Sequence, residues 1–107
     1  MKTLKISKDF SKTPGHRSPE DGPYSGEEFL ETKLLPFFKE ILNSNEKLIV
    51  DLDDTKGYAT SFLEASFGGL ARAFSSKVVL DKLVFVSEDE EELIPEIKGY
   101  IEDADKK

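Results

Sequence analysis

The sequence predicts an α/β domain, a small mixed sheet with helices packed on it. Three short apolar runs of strand length occur at Thr3–Ile6, Leu48–Leu52 and Leu83–Val86. Stretches with helical periodicity follow, two of which open on the hydroxyl-to-glutamate spacing of a capping box, Ser25–Glu28 and Ser61–Glu64. The length of 107 residues suits one domain over 1–107, burying about 65% of the surface its unfolded chain exposes.

Composition narrows the function classes. Hydrophobic residues make up 37% and charged residues 35%, the profile of a soluble globular chain on the polar side of average. No run approaches the roughly 20 apolar residues of a membrane span, and the start MKTLKISKDF lacks a signal-peptide apolar region, so a cytoplasmic location is expected. Fifteen basic against twenty-two acidic residues give a net charge of −7, which repels nucleic acid and anionic membranes, so neither is expected as a partner. Without cysteine there is no disulfide, thiolate nucleophile or zinc–thiolate site. His16 is the single histidine and, lacking histidine or cysteine neighbours, reads as a loop side chain. No metal or other cofactor is expected.

In chain order, Leu4 and Ile6 alternate with Thr3 and Lys5 as a first strand. Residues 9–24 contain Pro14, Pro19, Pro23, Gly15 and Gly22, which forbid a regular element. This segment is either disordered, partly pinned, or a binding loop around Arg17. The Ser25 capping box, with Tyr24 and Phe29 at its staple positions, starts a helix whose apolar face is Phe29, Leu30, Leu34, Phe37, Phe38, Ile41 and Leu42. Pro36 should kink or break it, and Asn43-Ser44-Asn45 should end it. Leu48-Ile49-Val50 and Leu52 lack polar alternation, as in a central strand covered on both faces. Beyond a Gly57 turn, a helix capped by Ser61 places Leu63, Phe67, Leu70 and Phe74 on one core stripe. Gly68-Gly69 inside it implies close backbone approach to a sheet or partner. Leu83–Val86 is a third strand, parallel to the second through a right-handed crossover. Glu88–Glu92 reads as a helix N-terminus or a solvated face. Leu93, Ile94, Ile97, Tyr100 and Ile101 form the last amphipathic helix, with Pro95 in its first turn and a frayed tail over 103–107.

Function is expected at residues 53–61, beyond the carboxyl end of the second strand, where ligands and partners gather in open α/β sheets. Three readings compete there. In the first, Asp51-Leu52-Asp53-Asp54-Thr55 matches the signature of haloacid-dehalogenase-like phosphotransferases, which would make Asp51 a nucleophile and Asp53 a Mg²⁺ ligand and general acid. The later-strand residues such enzymes carry have little room in 107 residues. In the second, Thr60 and Ser61 merely cap a helix, Glu64 is the capping-box partner of Ser61, and the protein is a purely structural interaction module.

The third reading rests on a resemblance. Pro14–Arg17, Ser25–Phe29, Val50–Asp53 and Ser61–Leu70 occur in the order seen in the STAS-like family of unknown function, small bacterial proteins related to the STAS domains of anti-sigma-factor antagonists. In those antagonists an Asp-Ser-Ser/Thr-Gly-like motif at the strand-to-helix loop is phosphorylated by a partner kinase. Here Ala59, Thr60, Ser61 and Phe62 stand at its positions, keeping the hydroxyls but not the acidic residue or the glycine. The resemblance implies a STAS-like fold and a regulatory, non-enzymatic role in signalling. It makes Thr60 and Ser61 phosphoacceptor candidates, and a histidine-kinase-like ATPase the first protein partner to test. Asp53, Asp54, Tyr58, Phe62 and Arg17 are the candidate partner-binding residues, with Phe62 expected to lie partly exposed.

Overall fold

All three apolar runs enter one sheet. The computed structural model describes residues 2–106. Strands β1 (Lys2–Lys5), β2 (Leu48–Asp51) and β3 (Leu83–Val86) lie in the order β1-β2-β3. Both pairings are parallel, with Leu4, Val50 and Phe85 in register. The α/β class therefore holds, while the sheet is parallel throughout where a mixed one was expected, because each strand reaches the next by a helical crossover.

The connections explain which side of the sheet is covered. Strand order follows chain order, so successive right-handed crossovers place their helices on the same face. Leu4, Leu48, Val50 and Leu83 point into that face and are buried. On the other face Thr3 and Val84 are exposed and Ile49 is half-buried. β2 is thus central, as its apolar run implies, but it is covered on one face rather than two.

Two long helices supply the covering layer. Residues 26–41 form α2, a continuous helix whose middle turn, Leu30–Leu34, is a π turn closed by the Leu35 N–H donating to the Leu30 carbonyl. That wider turn lies immediately before Pro36, whose ring would clash with the carbonyl four residues back in a regular α-helix. The helix does not break there; it runs on to Ile41. Residues 60–74 form α3, again with a π turn, Glu64–Gly68, between two α segments. Phe29 on α2 meets Phe62 and Phe67 on α3 at ring-centroid distances of 5.5 and 6.1 Å, and Phe67 meets Phe85 of β3 at 5.6 Å. Leu63, Phe67 and Leu70 are fully buried and Phe74 partly so, the stripe the sequence implies.

Shorter elements complete the chain. After β1 comes a single turn, α1 (Ile6–Asp9), and after α3 comes α4 (Ser76–Lys82). Neither follows from the sequence patterns above. The last helix, α5 (Leu93–Asp103), buries Leu93, Ile97 and Ile101. Where a frayed tail was expected, a tight turn Ala104–Lys106 continues α5, with the Asp105 carboxylate accepting from the Ser76 amide at 3.1 Å. Lys107 lies outside the described residues. Among the described residues no helix is long and apolar enough to cross a membrane.

Candidate functional site

At the end of β2 the three aspartates do different work. Asp53 turns inward and is 9% exposed; its carboxylate accepts from the Glu88 amide at 2.8 and 3.1 Å and from the Asp89 amide at 2.9 Å. This clamps the turn after β2 to the turn after β3. Asp51 accepts from the Asp53 amide at 3.0 Å, an Asx turn that sets the reversal. Asp54 lies exposed at φ 69°, its amide donating to the Asp89 carboxylate and its own carboxylate paired with Lys5 at 2.7 Å. That hydrogen bond from Lys5 holds the Asp54 carboxyl below the usual range and raises the Lys5 ammonium. Among the described residues no three histidine, cysteine or acidic side chains gather as metal ligands. Asp53, a candidate partner-binding residue, is thus turned inward with its carboxylate engaged by backbone donors.

The loop then folds back on the core. Tyr58 donates its hydroxyl to the Leu52 carbonyl at 2.8 Å, and burial pushes its phenol pKa up. Phe62, expected to be partly exposed, is fully buried, with its ring 6.0 Å from Tyr58 and 6.2 Å from Phe10. It belongs to the aromatic core and not to the surface.

The start of α3 differs from the capping expected of it. The N-cap is Ala59, whose carbonyl accepts from the Phe62 and Leu63 amides at 3.1 and 3.2 Å, and no side chain caps the helix. Thr60 is therefore the first helical residue, exposed, and Ser61 the second, half-buried. Glu64, one turn beyond Thr60, does not reach back to Ser61. Its carboxylate accepts instead from Arg17 on one oxygen and from Arg72 on the other, the latter at 2.6 Å. The hydrogen bonds from Arg17 and then Arg72 hold the Glu64 carboxyl below the usual glutamate value.

Gly68 makes that arrangement possible. A Cβ there would lie 2.8 Å from the Glu64 carboxylate and 3.2 Å from the Arg72 guanidinium, so the eight-residue ion pair spans the space a side chain would fill. At Gly69 the close approach is to a helix and not to the sheet or a partner as expected, since its Cβ would meet the Leu30 side chain of α2 at 2.8 Å. Arg17, Glu64, Arg72, Tyr100, Asp103 and Ala104 line a pocket of about 320 Å³. At its side the Tyr100 hydroxyl donates to Glu96 at 2.8 Å and has Thr60 as a neighbour. Burial, then the bond to Glu96, raise the Tyr100 phenol pKa.

Thr60 and Arg17 thus flank one surface, and Asp54 lies at the rim of the sheet; Asp53 and Phe62 face inward. Sequence reasoning missed Arg72 and Tyr100, and assigned Glu64 to a cap. The available signal was a glycine midway between opposite charges four residues away on each side.

The family model for a STAS-like domain of unknown function matches residues 25–93. The chain belongs to that family. The match runs from the capping serine of α2 to the first residue of α5, so it includes the Asp53 clamp, the start of α3 and Glu64 but not Arg17 or Tyr100. Neither the curated proteins nor the solved structures yield a match to this STAS-like domain.

Proposed function

We propose that this STAS-like domain is a regulatory, non-enzymatic interaction module, with Thr60 at the centre of a surface that docks a protein partner. A histidine-kinase-like ATPase is the first partner to test. The observation supporting this reading is that Thr60 is exposed at the first position of α3 while no side chain caps that helix. Its hydroxyl is not occupied in holding the helix together. Ser61 is half-buried and the poorer acceptor.

Phosphorylation by the partner would move the γ-phosphoryl group of its ATP to the Thr60 oxygen, releasing ADP and the hydroxyl proton. The product adds about −2 charge at the positive end of α3. It also stands beside the Tyr100 hydroxyl, which is bonded to the Glu96 carboxylate, and that negative charge disfavours a second anion near it. The modification therefore favours release over docking. The aspartate-based phosphotransferase reading is weaker, because both Asp53 oxygens accept backbone amides and Asp54 is paired with Lys5.

The test is titration of a histidine-kinase-like ATPase from the same genome against the wild type, Thr60→Glu and Thr60→Val. Thr60→Glu should weaken binding at least tenfold, about 1.4 kcal/mol, with a much smaller effect for Thr60→Val. Intact mass after incubation with the ATPase and ATP should show one added phosphoryl group, absent in Thr60→Val. Equal affinities for all three proteins would remove Thr60 from the docking surface.

A further inference from the structure

The two edges of the sheet are unlike. β1 reads Lys2-Thr3-Leu4-Lys5, and lysines on an edge strand discourage pairing with another chain. β3 reads Leu83-Val84-Phe85-Val86, hydrogen-bonded within the sheet to β2 alone, with no charge, proline or glycine along it. Val84 is 37% exposed, and with Tyr24 it is one of two large hydrophobic side chains exposed among the described residues.

The strand ends carry opposite charge. Lys2, Lys47 and Lys82 lie at the N-terminal rim of the sheet, opening β1 and immediately preceding β2 and β3. At the C-terminal rim are Asp51 at the end of β2, Asp53 and Asp54 after it, and the acidic run 88–92 after β3, with Lys5 at the end of β1 paired to Asp54. Lys47, Glu88 and Glu90 are exposed and form no ion pair among the described residues.

We propose that β3 is the interface between two copies of this chain, pairing antiparallel with β3 of the second copy across a two-fold axis to give one six-stranded sheet. The charges select the second copy and the direction. Antiparallel pairing sets the acidic rim of each copy beside the lysine rim of the other, whereas parallel pairing of the same edges would set acid beside acid. With Phe85 on the axis, Val84 of one copy faces Val86 of the other on the exposed side of the sheet. Cross-strand pairs of this kind are the unit of sheet stabilisation. The two-fold makes the contact isologous and closed, so assembly stops at two.

Sedimentation velocity on the full chain over the micromolar range tests this. The expected result is a concentration-dependent species of twice 12.0 kDa that weakens with added salt. Val84→Lys should raise the dissociation constant at least tenfold with an unchanged far-ultraviolet circular dichroism spectrum. Lys47→Glu, outside β3 at an exposed position, should weaken the dimer independently of any folding defect in Val84→Lys. A 12.0 kDa species at every concentration, a mass that keeps growing with concentration, or a dimer indifferent to both substitutions would overturn the proposal.

Discussion

A carboxylate that accepts three backbone hydrogen bonds is committed to the fold. Asp53 holds the Glu88 and Asp89 amides, and its removal leaves those donors without partners beside a buried strand end. Asp53→Ala should therefore cost about 1–3 kcal/mol in urea unfolding, while Asp54→Ala, at an exposed position, should stay within about 0.5 kcal/mol. Glu64 makes a pH-dependent contribution of known sign. Its folded pKa is lowered by Arg17 and Arg72, so its stabilisation is present above the unfolded-state value of about 4.3 and lost as pH falls through the lower folded value. Melting curves of the wild type and Glu64→Gln should differ at pH 6 and converge at the acid end of that window. At this scale the sequence was legible only where partners are near in the chain. Ser25 and Glu28 form their bond at 3.1 Å as the spacing implies. One partner of Glu64, Arg17, is 47 residues away, and with Phe62 buried the N-cap of α3 falls at Ala59, two residues before Ser61, so the second capping pattern misleads.

Elements repeat the lesson with glycine. Gly26 opens α2 where α3 crosses it, and a Cβ there would stand 2.5 Å from the Phe62 carbonyl oxygen and 2.9 Å from the Ala65 side chain. The first of these neighbours is backbone and cannot rotate away. Gly26→Ala should destabilise by about 1–3 kcal/mol, the range for overpacking, although alanine is the better helix former. Gly99 is the control: it lies within α5 with nothing inside 4 Å of its absent Cβ. Gly99→Ala should stabilise by up to about 1 kcal/mol and raise the melting temperature by a few degrees. Differential scanning calorimetry on both variants checks the contrast. The long helices were legible from their apolar periodicity. α4 was not, because seven residues lying between α3 and a strand give too few turns for a period to show. Pro36 was read as a kink or break because the π turn that admits it depends on backbone geometry, not on residue type.

At the scale of the whole molecule, the segment 9–24 decides how the parts are held together. Its prolines and glycines exclude regular structure, which left disorder, pinning and binding open from sequence, with binding the less favoured. The fold pins it. The His16 and Arg17 carbonyls accept from the Gly26 and Glu27 amides at 3.0 Å each, satisfying first-turn donors of α2 that have no partner within the helix. The Lys12 carbonyl accepts from the Lys56 amide at 2.8 Å, and Tyr24 closes the segment on Gly15 at 3.1 Å. Phe10 fills the space between Tyr24 and Phe29 at centroid distances of 5.8 and 5.1 Å, bridging the expected staple. One irregular stretch thus ties α2 and the loop after β2, while the Arg17 side chain reaches α3. Slow exchange should extend to the Gly26, Glu27 and Lys56 amides, although each lies at an element end or in a loop, where amides usually exchange fast. Hydrogen exchange followed by NMR should show these three opening with one common free energy, lowered together by Phe10→Ala. Fast exchange at Lys56 with slow exchange at Gly26 would mean that the segment caps α2 without coupling it to the loop that carries the candidate site.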